Sequence, residues 1–300
     1  MRRRAFIASL GLTSLAPLAA SAAEPVPIVA SFSILADMVQ QVGGSAVAVT
    51  SLVGPDGDVH VYSPRPKDLR TLMAARLLVQ NGLGLEGWMV RLIGAAGFKG
   101  GVITAAGAVV PRTMSETGGA VATDPHAWQD PRNAMLYVQA ITDGLAAADA
   151  ANAASYQANA SRYATRISDM DGWVTSALAP IPPSRRRIIT THDAFGYYGA
   201  RYGIEFLAAE GISTDSEPSA KTIAALVAQI KREKVHAVFI ESMTSDRMAR
   251  MLAAETGAVL GGTVYSDALS PPGGPAPTYL DMLRHNTTLF AKAMQGSSAR

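Results

Sequence analysis

The 300-residue chain contains no cysteine. No disulfide framework can hold it, so its core must rest on packing alone. Any metal site it carries must be built from nitrogen and oxygen donors instead of thiolates. Without a cysteine after the leader, no lipid anchor on a mature N-terminal thiol is expected. Long apolar runs are missing too. The stretch from Ala5 to Leu18 is short and rich in glycine, alanine and serine, which makes it a poor membrane span. Histidine is scarce, with five in the whole chain, so each one can be judged singly.

What stands at the start is an export signal. Arg2-Arg3-Arg4 form a basic n-region, Ala5 to Leu18 an apolar h-region, and Ala20-Ser21-Ala22-Ala23 a small-residue cleavage site. Arg3-Arg4-Ala5-Phe6-Ile7 also has a twin-arginine form, so Sec and Tat export are both open. Residues 1–23 are therefore read as a signal peptide, and the product as a soluble periplasmic protein. Losing those arginines lowers the formal charge from +2 to about −1. No basic excess is left for nucleic acid or an anionic membrane surface. The remaining residues, about 275, suffice for two ordinary domains.

Apolar runs alternate with helical periodicity. Val26–Ala30, Val47–Val53, Leu77–Gln80 and Val102–Thr104 read as strands; Ser33–Val42, Pro66–Ala75 and Leu85–Ala95 read as helices. That alternation predicts an α/β fold with parallel sheets covered by helices. From Asn133 to about Leu178 the pattern is helical. Tyr156, Tyr163, Ile167, Met170 and Val174 recur at three- and four-residue steps, or multiples of them, along one stripe. Pro180, Pro182 and Pro183 stop that helix, and strand–helix alternation resumes to the C-terminus. The expected organisation is an N-terminal lobe at 24–150, a linking helix at 151–180 and a C-terminal lobe at 181–300. The two lobes share no discernible sequence repeat.

The most distinctive stretch is Asp124-Pro125-His126-Ala127-Trp128-Gln129-Asp130-Pro131. Its prolines fix φ and bias the residues before them to extended backbone, so His126 is held on a stiff turn that feeds a helix. His60 follows a strand within Gly54–Pro64, His192 follows a strand and precedes a helix, and Asp267 lies just past another predicted strand. In open α/β sheets, ligands bind beyond the carboxyl ends of the strands. All four residues are expected there, two in each lobe, so the cleft between lobes is where they can meet. Three imidazoles and one carboxylate make a four-coordinate set suited to Zn2+. A shell closed by four protein ligands carries an ion and leaves no place for an activated water. Asp58, Asp124 and Asp193 are local candidates for accepting from the other ring nitrogens, with none assigned to a particular ring. Neutral imidazole is the binding form, so affinity is expected to fall as pH drops through about 6.5.

Two other readings compete. In a secreted zinc-dependent hydrolase, Asp267 would serve as base with a water as fourth ligand, but no glutamate stands beside a histidine as in His-Glu-x-x-His. In a two-lobed binder of an organic solute, Trp128, Tyr62 and Tyr198 would line the cleft. Gly82-Leu83-Gly84-Leu85-Glu86-Gly87 fits G-x-G-x-x-G, yet Thr104–Val110 lacks the acidic residue a dinucleotide site needs; it reads as a tight turn. His236 reads as a strand-edge residue and His285 as part of a solvated helix face.

With these motifs assembled, the chain resembles the cluster A-I metal-binding substrate-binding proteins of zinc and manganese ABC importers. Gly54-Pro55 with His60-Val61-Tyr62-Ser63-Pro64, the Asp124–Pro131 motif, His192-Asp193-Ala194-Phe195 and Tyr265-Ser266-Asp267 are similar to that family's four ligand stretches. Asn81–Gly84 and Thr214–Ser219 are similar to family stretches without ligand roles. The resemblance implies His60, His126, His192 and Asp267 as metal ligands, no enzymatic activity, a monomer, and a membrane permease as partner, with a periplasmic metallochaperone as a further candidate. Two departures bear on the metal. Arg112–Thr123 is short and lacks the histidine-rich loop of many zinc members, and Val59 stands where many members carry proline or an acidic residue, so no adjacent glutamate can serve as a ligand. The third position is His192, where manganese members commonly carry glutamate. The resemblance thus implies zinc, with manganese as the alternative.

Overall fold

Runs of Val, Ile, Leu and Ala that are buried on both faces form the central strands, as expected of parallel sheets flanked by helices. The computed structural model describes residues 24–115, 121–215 and 218–296. The leader expected at 1–23 lies outside the described residues. So do residues 116–120 of the Arg112–Thr123 stretch and 216–217 of the Thr214–Ser219 stretch.

The first lobe runs β1 (Val26–Phe32), α1 (Ser33–Gly43), β2 (Val47–Val53), α2 (Pro66–Ala74), β3 (Leu77–Gln80), α3 (Met89–Ala96) and β4 (Gly101–Thr104). Its parallel sheet has the order β2-β1-β3-β4. Helix α3 begins four residues later than the apolar periodicity predicts. Gly82, Leu83 and Gly84 take positive φ, and the carboxylate of Glu86 folds back to accept from the Asn81 and Gly82 amides at 2.6 and 3.2 Å. The turn's donors are thus spent on its own side chain, where a dinucleotide site would aim them at phosphate. A hairpin that the sequence did not announce follows, β5 (Arg112–Ser115) paired antiparallel with β6 (Val121–Asp124).

Next come α4 (Pro131–Ala148) and α5 (Ala153–Leu178). Asp130 caps α4 by accepting from the Arg132 amide at 2.9 Å, with Pro131 at the first helical position. The buried face of α5 is Tyr156, Tyr163, Ile167, Met170, Val174 and Leu178, the stripe read from the sequence extended by one residue. The helix is pinned to both lobes. Asn159 donates to the Val42 carbonyl at 2.8 Å, and Asp171 accepts from Arg201 at 3.1 Å and Tyr202 at 2.7 Å.

The second lobe contains β7 (Arg187–Thr190), α6 (Gly196–Tyr202), β8 (Glu205–Ala208), α7 (Ala220–Glu233), β9 (Ala237–Glu241), α8 (Asp246–Thr256), β10 (Val259–Val264) and α9 (Tyr279–Gln295). Its parallel sheet, read β8-β7-β9-β10, has the same strand order as the first. Topology therefore repeats where sequence does not. Helix α9 bridges the halves. Phe290 packs among Phe195, Phe206 and Phe239 in the second lobe, while the Tyr279 amide donates to Asp37 of α1 at 2.9 Å.

Gly199 marks a close approach between α6 and the chain entering β8. A Cβ there would stand 2.5 Å from the carbonyl oxygen of Ile204, a backbone atom that cannot step aside. Gly199→Ala is expected to destabilise the protein by about 1–3 kcal/mol, the usual cost of overpacking. A lowered melting midpoint checks this; melting like the parent would contradict it.

Candidate metal centre

Each of the four residues is aimed by a local device. His60 follows β2, and Oδ1 of Asp58 accepts its backbone amide at 2.9 Å. The other oxygen of Asp58 accepts from Thr214 of the second lobe at 2.6 Å, and Trp88 donates to the Val59 carbonyl at 2.8 Å. His126 is held twice by Oδ1 of Asp124, through its amide at 3.0 Å and through Nδ1 at 2.9 Å. The Asn81 side chain grips the Pro125 carbonyl at 2.9 Å and accepts from Tyr137 at 2.5 Å. His192 follows β7, and Asp267 follows β10. Trp128 and Gln129 both donate to the Ser266 carbonyl, at 2.9 and 2.8 Å, so the turn bearing His126 is tied directly to the turn bearing Asp267. His60, His192 and Asp267 follow strands of the parallel sheets, as expected. His126 instead follows β6 of the hairpin.

The structure brings all four together. One donor atom from each lies within 4.8 Å of every other. Nε2 of His60 is 3.2 Å from Nε2 of His126 and 3.1 Å from Oδ2 of Asp267. Nε2 of His192 is also 3.1 Å from Oδ2 of Asp267, and Nε2 of His126 is 3.6 Å from Oδ1. A tetrahedron with bonds of about 2.05 Å has edges of about 3.3 Å, within the spread of these separations. Oδ1 of Asp267 is buried without a hydrogen-bond partner, as an oxygen reserved for a cation would be. His126, His192 and Asp267 are fully buried, and only His60 keeps slight exposure, so the way in lies on its side.

Electrostatics sharpen the picture. Burial by itself raises the carboxyl of Asp267, but the rings of His126 and His192 overcome it and hold it well below the usual range. Burial opposes charge on His126, yet Asp267 and Asp124 outweigh it and raise the ring to about 9. His192 is raised well above its ordinary value, against burial, by Glu241 and Asp267. The cluster is thus a strongly anionic pocket that attracts positive charge, as proton or as metal.

Of the three aspartates expected to accept from ring nitrogens, Asp124 does so and Asp58 takes the His60 amide instead. Asp193 holds no imidazole; burial and the charge of Asp124 push its carboxyl up to about 6. The partner of His192 is Glu241, whose Oε2 lies 2.6 Å from Nδ1. Sequence reading missed it, although an acidic residue closing the apolar strand Ala237–Glu241 was a usable signal. The aromatics considered for an organic solute serve packing. Trp128 is buried against Phe32, Tyr62 leans on Trp88 and donates to Asp68, and Tyr198 bonds Thr287. His236 precedes β9 on the surface. His285 is half-buried, with Nε2 2.9 Å from the Thr263 carbonyl and its ring against Tyr265; it is not part of a solvated face, because α9 packs there on β10.

Known proteins are similar to this chain in sequence and fold. Residues 28–293 match the family described as "Zinc-uptake complex component A periplasmic" (ZnuA). The chain is 31% identical over 270 residues to the "Iron-binding protein YfeA" of Yersinia pestis, covering 90% of this chain and 86% of that protein. It is 32% identical over 280 residues to the "Manganese-binding lipoprotein MntA" of Bacillus subtilis, covering 92% of each. Its structure is similar to the periplasmic zinc binding protein TroA from Treponema pallidum, with a TM-score of 0.84 and 29% identity over 90% of this chain and 99% of that one.

The raised ring of His126 moves the pH window above the one expected from an unperturbed histidine. Its proton stabilises the metal-free fold fully below pH 6.5, and that contribution is lost as pH rises through about 9. A dication must evict the same proton, so its apparent affinity should rise between pH 6.5 and 9, by up to about tenfold per unit for one displaced proton. Calorimetric titration in buffers of different ionisation enthalpy checks this. Net proton release at pH 7.5 is the expected result, and binding without proton release would contradict it.

Proposed function

The chain belongs to the family of periplasmic zinc-uptake complex component A proteins, and from that premise we propose that it captures Zn2+ between its lobes and delivers it to an ABC permease. His60 and His126 from the first lobe, with His192 and Asp267 from the second, are the proposed ligands. The observation that carries the reading is the meeting of these four donors within 4.8 Å, with Oδ1 of Asp267 buried and without a hydrogen-bond partner. Four protein donors fill a tetrahedral shell, which favours carrying the ion over activating a water on it.

Relatives are named for iron, manganese and zinc, so the choice of zinc rests on this chain's own donors. Three imidazoles and one carboxylate suit zinc, whereas manganese favours carboxylate, carbonyl and water oxygens. Manganese is the alternative cargo. We divide the chain into a signal peptide at 1–23, lobes at 24–150 and 181–300, and the linking helix at 151–180. Among the described residues no helix is long and apolar enough to cross a membrane. The MntA relative is named a lipoprotein, but the 300 residues here include no cysteine to acylate. We propose that the protein works in the periplasm as a monomer, meeting its permease and, as a further candidate, a metallochaperone.

Several bonds cross between the halves: Thr214 to Asp58, Trp128 and Gln129 to Ser266, and the Asp56 amide to the Leu269 carbonyl at 3.0 Å. They support loop ordering over wide hinge closure as the response to the ion.

Purified protein should bind one Zn2+ per chain and prefer it to Mn2+ in competition. His126→Ala and His192→Ala should each weaken zinc binding by more than about 100-fold, beyond the loss typical of residues that only support a ligand. Variants that titrate like the parent would refute the site, and a preference for Mn2+ would replace zinc with the alternative cargo.

A further inference from the structure

Glu241 has a bonding pattern that does more than fill space. Its Oε1 accepts from the Thr191 amide at 3.0 Å, the Thr191 hydroxyl at 2.6 Å and the His192 amide at 2.9 Å. Two of those donors are backbone N–H groups, which cannot reverse their role. Oε1 is therefore fixed as an acceptor. The other oxygen, Oε2, lies 2.6 Å from Nδ1 of His192. Both side chains are fully buried, and the Ser266 hydroxyl is a further donor to the Glu241 carboxylate.

The opposite ring nitrogen, Nε2, points at Asp267, 3.1 Å away. An ion bound there takes the Nε2 lone pair and sends any proton on that nitrogen to solvent. The ring then keeps its one hydrogen on Nδ1, which needs an acceptor facing it. We infer that Glu241 is a positioning residue that fixes the tautomer of His192, presenting a bare Nε2 to the ion because both ends of its carboxylate can only accept. The inference rests on the reading of His192 as a ligand.

The consequence is specific. Glutamine has the shape of glutamate but only one acceptor end. With its carbonyl claimed by the Thr191 and His192 donors, its NH2 would face Nδ1. The ring would then carry its hydrogen on Nε2, towards Asp267, and close to the ion. Turned over, the NH2 would meet two backbone N–H groups. Neither orientation leaves a working site. Aspartate is one methylene shorter and packs less well, yet both of its oxygens accept.

The tautomer role and a packing role therefore rank two variants oppositely. Glu241→Gln should lower zinc affinity by about 100-fold, the upper end of the loss seen for residues that support a ligand, and Glu241→Asp should lose less. Filling space alone predicts the reverse order, with the isosteric glutamine milder. Zinc titration of both variants, with the melting midpoint of each metal-free protein taken alongside, is the test. It is read on the affinity order among folded protein, so a shift in melting shared by both variants does not decide it. A long-range 1H–15N spectrum of the zinc-loaded parent should show the His192 ring hydrogen on Nδ1; finding it on Nε2 would overturn the inference. Glutamine binding as tightly as the parent, or more tightly than aspartate, would also overturn it. His192→Ala is the control: if it loses zinc while Glu241→Gln keeps it, the tautomer role falls and the site stands, whereas zinc binding unchanged in His192→Ala would remove the site itself.

Discussion

Asp267 is a carboxylate with no access to water. Stripping such a group of solvent costs several kcal/mol unless positive charge is brought to it. The rings of His126 and His192 bring that charge to it by taking protons. The buried anion and its convertible surroundings thus hold two states of the same pocket, one neutralised by protons and one by a dication. Metal capture is then an exchange of charge carriers in a preformed cage.

The scaffold serves that exchange by fixing the cage from both lobes. The first sheet places His60 after β2 and the second places His192 after β7 and Asp267 after β10, and the turn carrying His126 is fastened to the turn carrying Asp267 through the Ser266 carbonyl. The long helix α5 is pinned to each half, and α9 packs across both. Of the four donors only His60 retains some exposure, and its loop is joined to the second lobe by the Asp56 amide on the Leu269 carbonyl and by Thr214 on Asp58. Rigidity is concentrated on three donors, and access on the fourth.

Much of this was legible in the sequence because its signals were local. The stripe on α5 follows from helical spacing, and the stiffness of the His126 turn from Pro125 and Pro131. The alternation of strands and helices gave the α/β class. The four donors were individually suggestive, but their meeting was not deducible from spacing, since they are separated by dozens of residues and converge only once two sheets face each other. The hairpin β5–β6 was invisible because its strands are short and half-exposed and pair antiparallel beside otherwise parallel sheets. Glu241 was missed because the carboxylate that holds His192 arrives from a different strand, 49 residues away, whereas the one that holds His126 is two residues away. Topology, not neighbourhood, supplies it.

The central claim is that one ion is gripped completely by protein donors from both halves. X-ray absorption at the zinc edge of the loaded protein measures this most directly. The account predicts four nitrogen and oxygen neighbours at about 2.0–2.1 Å with the scattering signature of three imidazoles. A first shell of six light oxygens, or one with fewer than three imidazoles, would contradict it.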